Sequence, residues 1–321
     1  MRAYIIRRLL LIIPTGFLVT VICFISVRFI PGSIIDIMVQ DMAAQGGTVD
    51  IAATSEAIRQ QLGLDVPIHI QYGRWIAGVF QGDLGVSMWT GTPVIEDIFQ
   101  RLPVSIELGL FGLLTAILLA MPVGIYSAIR QDTWGDYVGR TVAILAISVP
   151  SFRLGTLVVV YPSIWWNWTP PIEYIPFGRD IAGNLLQFII PGTILGLVVS
   201  GTTMRMTRTM MLEVLRQDYI RTAWAKGLNE RVVIFRHALK NALIPVITLV
   251  GILLPILVGG SVVLEQIFVL PGVGRLLVTA IQRRDYPIIV GINLVVASFV
   301  LFVNLAIDII YSWLDPRITY R

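Results

Sequence analysis

Long runs of apolar residues dominate this sequence and restrict the folds that it can adopt. Six of them reach the roughly 20 residues that an α-helix needs to cross about 30 Å of hydrocarbon. They lie at residues 8–30, 104–129, 140–162, 185–206, 241–264 and 286–314. The composition agrees, since 56% of the 321 residues are hydrophobic and only 14% are charged. The sequence therefore predicts an all-α polytopic membrane protein with six transmembrane helices.

Lys and Arg in the segments between the spans predict their orientation, because these residues favour the cytoplasmic side. With the N-terminus inside, 15 of them fall in cytoplasmic segments and seven in outer segments. The first span begins behind Arg7 and Arg8, and no small-residue cleavage site follows it, so we interpret it as a retained signal anchor. Both termini are therefore expected in the cytoplasm.

The chain is expected to divide near residue 103. Residues 1–103 would form the anchor helix and a long extracytoplasmic segment, and residues 104–321 the core that contains the other spans. Within the outer segment, two short helices are predicted between Ser55 and Phe80, with a break at Gly63 and Pro67.

Small residues at every fourth position predict close packing of two spans. They are Gly192, Gly196 and Ser200 in one span and Ala116, Ala120 and Gly124 in the other.

Proline, glycine and one charge mark candidates for a translocation pathway. The fifth span contains Pro245, Pro255 and Gly259, so a straight and fully hydrogen-bonded helix is not expected there. Kinks of this kind line transport routes in some proteins and only fit neighbouring helices in others. Arg153 lies in the third span, where a charge is costly, and it either lines a wet route and attracts an anion or forms a structural pair. We take Arg153, Pro255 and Gly259 as the candidates.

The most basic part of the chain lies between the fourth and fifth spans, in "DYIRTAWAKGLNERVVIFRHALKNALIP". Arg221 through Lys226 predict a short helix, and Gly227 predicts its left-handed end. Asn229 is placed to begin a second helix whose first turn holds Glu230. We call residues 218–232 the projecting loop.

Two interpretations of the projecting loop are open. An amphipathic helix on the membrane surface would bring its Arg and Lys side chains to anionic lipid. A protein partner is favoured by the small residues Ala223 and Ala225 beside Trp224, because a lipid-binding face would carry large apolar residues along its length. The glycine between two helices would also hold this surface away from the bilayer.

The stretch "RTAWAKGLNERVVIFRHALKNALIP" resembles the cytoplasmic loop of ABC importer permeases. That loop has Glu-Ala-Ala, three residues, Gly, nine residues, and then Ile, any residue, Leu and Pro. Ala223, Gly227 and Leu239 match the second Ala, the Gly and the Leu. Four positions depart from the pattern, namely Arg221, Thr222, His237 and Lys240.

The form "DYIRTAWAKG" followed by "RHALKNALIP" resembles the dipeptide and oligopeptide branch of that family, and in particular its first permease. Similar segments extend over nearly the whole chain, from "YIIRRLLLIIPT" through "PGVGRLLVTAIQRRDYP" to "LDPRITY". The resemblance implies a type I ABC importer permease fold in the plasma (inner) membrane of a bacterium or archaeon. It implies neither catalysis nor a cofactor in this chain.

The resemblance also implies partners and the residues that meet them. The partners are a second homologous permease, two ATP-binding subunits that hold ATP and Mg, and an extracytoplasmic substrate-binding protein. The projecting loop would be a coupling helix that contacts an ATP-binding subunit through Tyr219, Arg221, Thr222, Ala223, Ala225, Lys226, Gly227 and Glu230. The candidates for docking of the binding protein are Pro271, Gly272, Gly274, Arg283, Arg284 and Asp285.

We therefore expect a permease subunit of a binding-protein-dependent importer for short peptides or similar solutes. The alternative is a secondary transporter driven by an ion gradient, which should show intramembrane acidic residues and often an internal repeat. A membrane enzyme is disfavoured, because the sequence has no GxxxxGK[ST], HExxH or GxSxG motif and only His69 and His237 as histidines. With Cys23 as its one cysteine, it also predicts no metal site.

Overall fold

The computed structural model describes residues 2–29, 35, 55–56 and 65–314. The described residues are mainly α-helical and contain one isolated β-bridge, between Val86 and Pro93. The helices are α1 (Arg2–Ser26), α2 (Ile68–Phe80), α3 (Val94–Ile129), α4 (Trp134–Ser148), α5 (Ser151–Trp166), α6 (Ile181–Leu215), α7 (Asp218–Ala225), α8 (Glu230–Val232), α9 (Leu239–Ile267), α10 (Val273–Arg283) and α11 (Tyr286–Leu314). The all-helical prediction is confirmed.

Five stretches of the described helices are long and apolar enough to cross a membrane, and a sixth span is present if α4 and α5 count as one. This pair corrects the prediction of a single third span, because its two helices meet at an angle of 91°. Val149 ends α4 in an extended conformation, and Pro150 follows it. The break has a local cause, since proline disfavours helical geometry in the residue before it.

The fifth span contains its prolines within one helix. α9 continues as one α-helix from Leu239 to Ile267 and includes Pro245 and Pro255. A π-helical turn, Val233–Ala238, precedes it directly. A proline removes one hydrogen bond without ending a membrane helix when its surroundings satisfy the freed group. The span therefore lacks the hydrogen bonds that Pro245 and Pro255 cannot donate, and a π-helical turn precedes it.

The chain divides into two compact units. The first comprises Met1–Ile5, Val104–Gly274 and Phe302–Arg321, and the second comprises Ile6–Pro103 and Arg275–Leu301.

In the second unit, aromatic side chains join α1 to α2. The ring of Phe24 lies 5.3 Å from that of Tyr72 and 5.5 Å from that of Trp75, measured between centroids. The hydroxyls of Thr20 and Tyr72 are 2.8 Å apart. α2 is the second of the two short helices predicted in the outer segment. The first of these predicted helices lies outside the described residues except for Ser55 and Glu56.

In the first unit, small residues bring α6 close to α3. A Cβ added to Gly196 would lie 2.4 Å from the carbonyl oxygen of Gly112, and one added to Gly124 would lie 2.8 Å from the Cβ of Thr207. The predicted close packing of these faces is confirmed. A buried core surrounds the contact and includes Leu108, Ala116, Phe188, Leu195, Val199, Leu257 and Leu264.

A buried ion pair joins α4 to α6. Nε and Nη2 of Arg208 each donate a hydrogen bond to one carboxylate oxygen of Asp136, both at 2.8 Å. The Asp136 side chain is fully buried, and the backbone N–H of Asp132 donates to it at 3.0 Å. Nε of Arg140 lies 3.4 Å from the same carboxylate. This bidentate geometry fixes the position of α4 against α6.

Candidate functional site

The projecting loop is anchored by the inner face of α7. Ile220 is completely buried and Ala223 is 6% exposed, and both belong to an apolar cluster with Met211 and Val233. The other buried members of the cluster are Ile125, Ala128, Ile234, Ala238 and Ala242. The apolar contacts extend from α7 to the end of α3, to α6 and to the start of α9. The loop is therefore fixed to the ends of these helices.

A glycine turn ends α7 as the sequence predicts. Gly227 has φ +74°, its N–H donates to the carbonyl of Trp224 at 2.9 Å, and the N–H of Leu228 donates to that of Ala223 at 3.4 Å. These two bonds form a Schellman motif, which satisfies carbonyls left open at the helix end. Asn229 then begins α8 through its backbone, but its side chain makes no capping hydrogen bond.

The outer face of the projecting loop is exposed. Seven of the eight predicted coupling residues lie there, namely Tyr219, Arg221, Thr222, Ala225, Lys226, Gly227 and Glu230. Trp224 joins them with 44% of its surface exposed. Its indole ring and the guanidinium of Arg221 are side chains of the kind that dominate protein interfaces. The hydroxyl of Tyr219 accepts a hydrogen bond from Nδ2 of Asn241 at 2.8 Å, which ties this face to the start of α9.

Ala223 does not belong to the exposed surface, which corrects the predicted pairing of Ala223 with Ala225 beside Trp224. Ala223 lies three residues after Ile220 and therefore shares its buried face. Ala225 lies two residues further on and is exposed. Any effect of Ala223 on a partner must act through the position of α7.

The exposed face is basic. The projecting loop carries the exposed cations Arg221, Lys226 and Arg231 and the exposed acids Asp218 and Glu230, and the exposed residues that flank it add Arg216 and Arg236 against Glu213. Arg221 lies 3.5 Å from Asp218 within α7, and both side chains are largely exposed. The excess of positive charge fits a partner whose surface is acidic at this place.

The predicted pathway residues lie on two helices that pack together. Arg153 is exposed in the first turn of α5, directly after the sharp break between α4 and α5, and makes no ion pair with any described residue. The third span is therefore not straight at Arg153, and the role of this residue in a pathway stays a prediction. Pro255 and Gly259 lie within α9. α5 contacts α9 closely, because a Cβ added to Gly155 would lie 3.0 Å from Leu264.

The glycines of the predicted docking segment serve internal packing. A Cβ added to Gly272 would lie 2.3 Å from the carboxyl group of Glu265, and one added to Gly274 would lie 2.6 Å from the Cα of Val262. Glu265 is completely buried. The hydroxyl of Ser105 donates to Glu265 at 2.7 Å and accepts the N–H of Val273 at 2.8 Å. These contacts hold the start of α10 against α3 and α9 within the first unit.

Asp285 organises a loop of the second unit. It is 3% exposed, and its carboxylate accepts the Ser87 hydroxyl at 2.5 Å and the Met88 N–H at 3.2 Å. Nε1 of Trp89 donates to the carbonyl of Arg283 at 2.8 Å. We use the name outer loop for residues 81–93, which these bonds hold. Asp285 therefore supports a surface instead of forming one, whereas Arg283 is exposed beside it.

Sequence reasoning missed several polar groups that the structure joins. Neither the pair of Asp136 and Arg208 nor the pair of Glu265 and Ser105 was singled out. No pairing signal is visible in the sequence, because the partners lie 72 and 160 residues apart. Within the described residues, no three His, Cys, Asp or Glu side chains are grouped so as to hold a metal ion.

The fold and the anchored projection define an integral membrane component of a transport system. The family described as the binding-protein-dependent transport system inner membrane component matches residues 120–320, and the N-terminal region described for such components matches residues 1–109. The chain belongs to this family and is a multi-pass permease of the inner membrane.

Curated relatives resemble the chain over its whole length. A protein named as a peptide transport system permease of Brucella abortus is 40% identical over 320 residues, covering 100% of both chains. The dipeptide transport system permease DppB of Alkalihalophilus pseudofirmus is 38% identical over 346 residues, covering 100% of both. The glutathione transport system permease GsiC of Salmonella paratyphi A is 37% identical over 318 residues, covering 99% of both.

A solved structure of an amino acid ABC transporter shares the fold. The superposition has a TM-score of 0.50 and covers 68% of this chain and 93% of the other, at 10% sequence identity.

Proposed function

We propose that this chain is the permease subunit of an ATP-driven importer for short peptides or similar solutes. It would form half of the translocation pathway, with a second homologous permease as the other half. Two ATP-binding subunits would hold ATP and Mg, so that this chain carries no catalytic activity or cofactor of its own. The peptide, dipeptide and glutathione transport systems named for its relatives support this class of solute.

The single observation that carries the proposal is the anchored, exposed and basic face of the projecting loop. A partner can drive a conformational change only through contacts that differ in free energy between the two states. Such contacts require a surface that is both accessible and mechanically joined to the spans. The projecting loop meets both conditions, since Trp224 and Ala225 are exposed while Ile220 is buried against the helix ends.

The opposite side of the permease would receive an extracytoplasmic binding protein. Pro271, Arg283 and Arg284 remain candidates for direct contact, whereas Gly272 and Gly274 would act through the packing of the start of α10 and Asp285 through the outer loop. In this assignment both termini are cytoplasmic, as the distribution of Lys and Arg predicts. Arg153, Pro255 and Gly259 remain the candidates for the pathway.

The test uses the complete importer, with its two permeases, two ATP-binding subunits and binding protein, in proteoliposomes. A cysteine at exposed Ala225 should form a crosslink to an ATP-binding subunit, and a cysteine at exposed Trp134, outside the projecting loop, serves as the control. ATP should drive uptake of trialanine in the wild-type assembly. Crosslinks from position 225 to lipid alone, or uptake that persists without the ATP-binding subunits, would contradict the proposal.

A further inference from the structure

Glu107 in α3 is an acidic residue within a span that lacks charge compensation. It makes no ion pair with any residue that the structure describes. Its Oε1 atom is buried and accepts no hydrogen bond in the same part of the chain. A carboxylate in a low-dielectric surrounding is unfavourable without a proton, a cation or several hydrogen-bond donors. Apart from the amide of Asn184, no described protein group is a partner of Glu107, and its Oε1 atom is left without a donor.

The side chain beside Glu107 offers a second unused acceptor. The side chain of Asn184 in α6 is completely buried and lies within hydrogen-bond reach of Glu107. Its Nδ2 donates to the carbonyl of Ile175 at 2.9 Å, whereas its Oδ1 is buried and makes no hydrogen bond to a described group. Gln187, one turn further along α6, uses both ends of its amide on the backbone of residues 173 and 175. The available atoms at this place are thus oxygens that accept hydrogen bonds.

Aromatic rings form the apolar side of this place. The ring of Tyr174 meets that of Phe188 edge to face, with centroids 6.3 Å apart, and Phe188 stacks on Phe111 at 6.0 Å. The pKa of Tyr174 is raised by burial and further by the nearby Glu107 carboxylate, which places the phenol close to that charge. Because Glu107 is only half-buried, the cluster is accessible from one side.

The ligand that fits this place is a cation that donates hydrogen bonds. An ammonium group has three donors and a compact positive charge, which unused oxygens accept and aromatic faces attract. A bare metal ion fits less well, because hard cations require about six or more oxygen ligands and the two side chains offer few. We propose that Glu107 and Asn184 form a subsite for the ammonium group of a transported solute, such as the amino terminus of a short peptide.

This inference rests on the proposed function, because the subsite would bind a solute in transit. It assigns Glu107 the role of a solute-contacting residue in α3 and predicts that a free amino group is recognised within the permease itself. Acetylation of the peptide would remove the charge and two of the three donors while leaving the rest of the solute unchanged.

The test is a photocrosslinking experiment on the complete importer in lipid nanodiscs. The probe is photo-Leu-Ala-Ala, whose diazirine lies on the residue that carries the amino group, and N-acetyl-photo-Leu-Ala-Ala is its matched partner. After irradiation, mass spectrometry locates the attached probe. Attachment is expected in α3 near Glu107 or in α6 near Asn184, and about tenfold less with the acetylated probe, the factor for losing a charge-assisted hydrogen bond.

Glu107→Gln should reduce attachment of the free-amine probe by about the same tenfold, since it keeps the shape and removes the charge. Glu96→Gln, at an exposed position of the same helix, should leave attachment unchanged. Equal attachment of both probes to the wild type, or attachment only elsewhere, would overturn the inference, and this comparison needs no variant to fold. ATP-driven uptake is scored separately, so a failure of the proposed function is distinguishable from a failure of the subsite.

Discussion

Introducing a glutamate at Ala223 or at Ala225 should give opposite results, although the positions are two residues apart. Ala223 is 6% exposed and packs into the apolar cluster that anchors α7, whereas Ala225 faces solvent. A carboxylate without a partner in such a cluster costs about 3 kcal/mol or more. On the exposed face, the same substitution changes the free energy of unfolding by only about 0.5 kcal/mol, with an unfavourable helix-dipole contribution of similar size at the end of α7.

We therefore expect Ala223→Glu to lower the thermal stability and the yield of the permease. Ala225→Glu should be obtained in wild-type amounts, unfold at nearly the wild-type temperature and assemble with its partners in detergent. In proteoliposomes, however, ATP-driven uptake by Ala225→Glu should fall by about tenfold or more, because a charge is desolvated at the partner interface. Ala225→Ser is the matched control, since it keeps the residue small and uncharged.

Two results would refute this reasoning. If Ala223→Glu unfolds at the wild-type temperature, the buried position of Ala223 in the cluster is wrong. If Ala225→Glu carries solute as fast as the wild type, the exposed face of α7 is not the surface that an ATP-binding subunit contacts.

Substitutions in three further places test other parts of the structure. Gly227→Ala and Gly227→Leu should each lower the free energy of unfolding by about 1 kcal/mol in chemical denaturation, because a side chain at this left-handed φ is strained. The two losses should be nearly equal, because the space around the added Cβ is open to 4 Å. A much larger loss for leucine would contradict the open surroundings. Asp285→Ala should make the outer loop accessible to limited proteolysis, because it leaves the Ser87 hydroxyl without its acceptor. Ser87→Ala should have a smaller effect. Unchanged cleavage in Asp285→Ala would show that the carboxylate does not hold the loop. Asp136→Ala should destabilise the permease by about 3–5 kcal/mol, because it leaves the Arg208 guanidinium buried and unpaired. In a double-mutant cycle measured by thermal unfolding, adding Arg208→Met should recover much of this loss. Additive losses would mean that the pair is not coupled.

The sequence was sufficient for the features that depend on local periodicity. Apolar runs located the spans, and Gly227 marked the end of α7 because its φ of +74° belongs to a region that glycine enters without strain. The small faces of α3 and α6 followed from a four-residue repeat, since such a repeat lines one side of a helix.

Features that depend on partners distant in the sequence were not predictable in the same way. A charged residue at 136 or 208 is equally compatible with a solvated loop and with a buried pair, and only the tertiary contact between α4 and α6 distinguishes them. The burial of Ala223 was missed for a related reason. A short helix with several small residues does not reveal which side faces the protein until its neighbours are known.

The continuous helical path from Glu230 to Pro255 has a mechanical consequence. It includes the π-helical turn Val233–Ala238 and counts 26 residues, so at 1.5 Å per residue it measures about 39 Å. A hydrogen-bonded rod of this length resists bending, and a small tilt imposed at its exposed tip becomes a displacement of several ångströms at the far end. The π-helical turn and Pro245, which has no N–H to donate, are the irregular places of the rod, so motion is expected to enter the span there as rotation as well as translation.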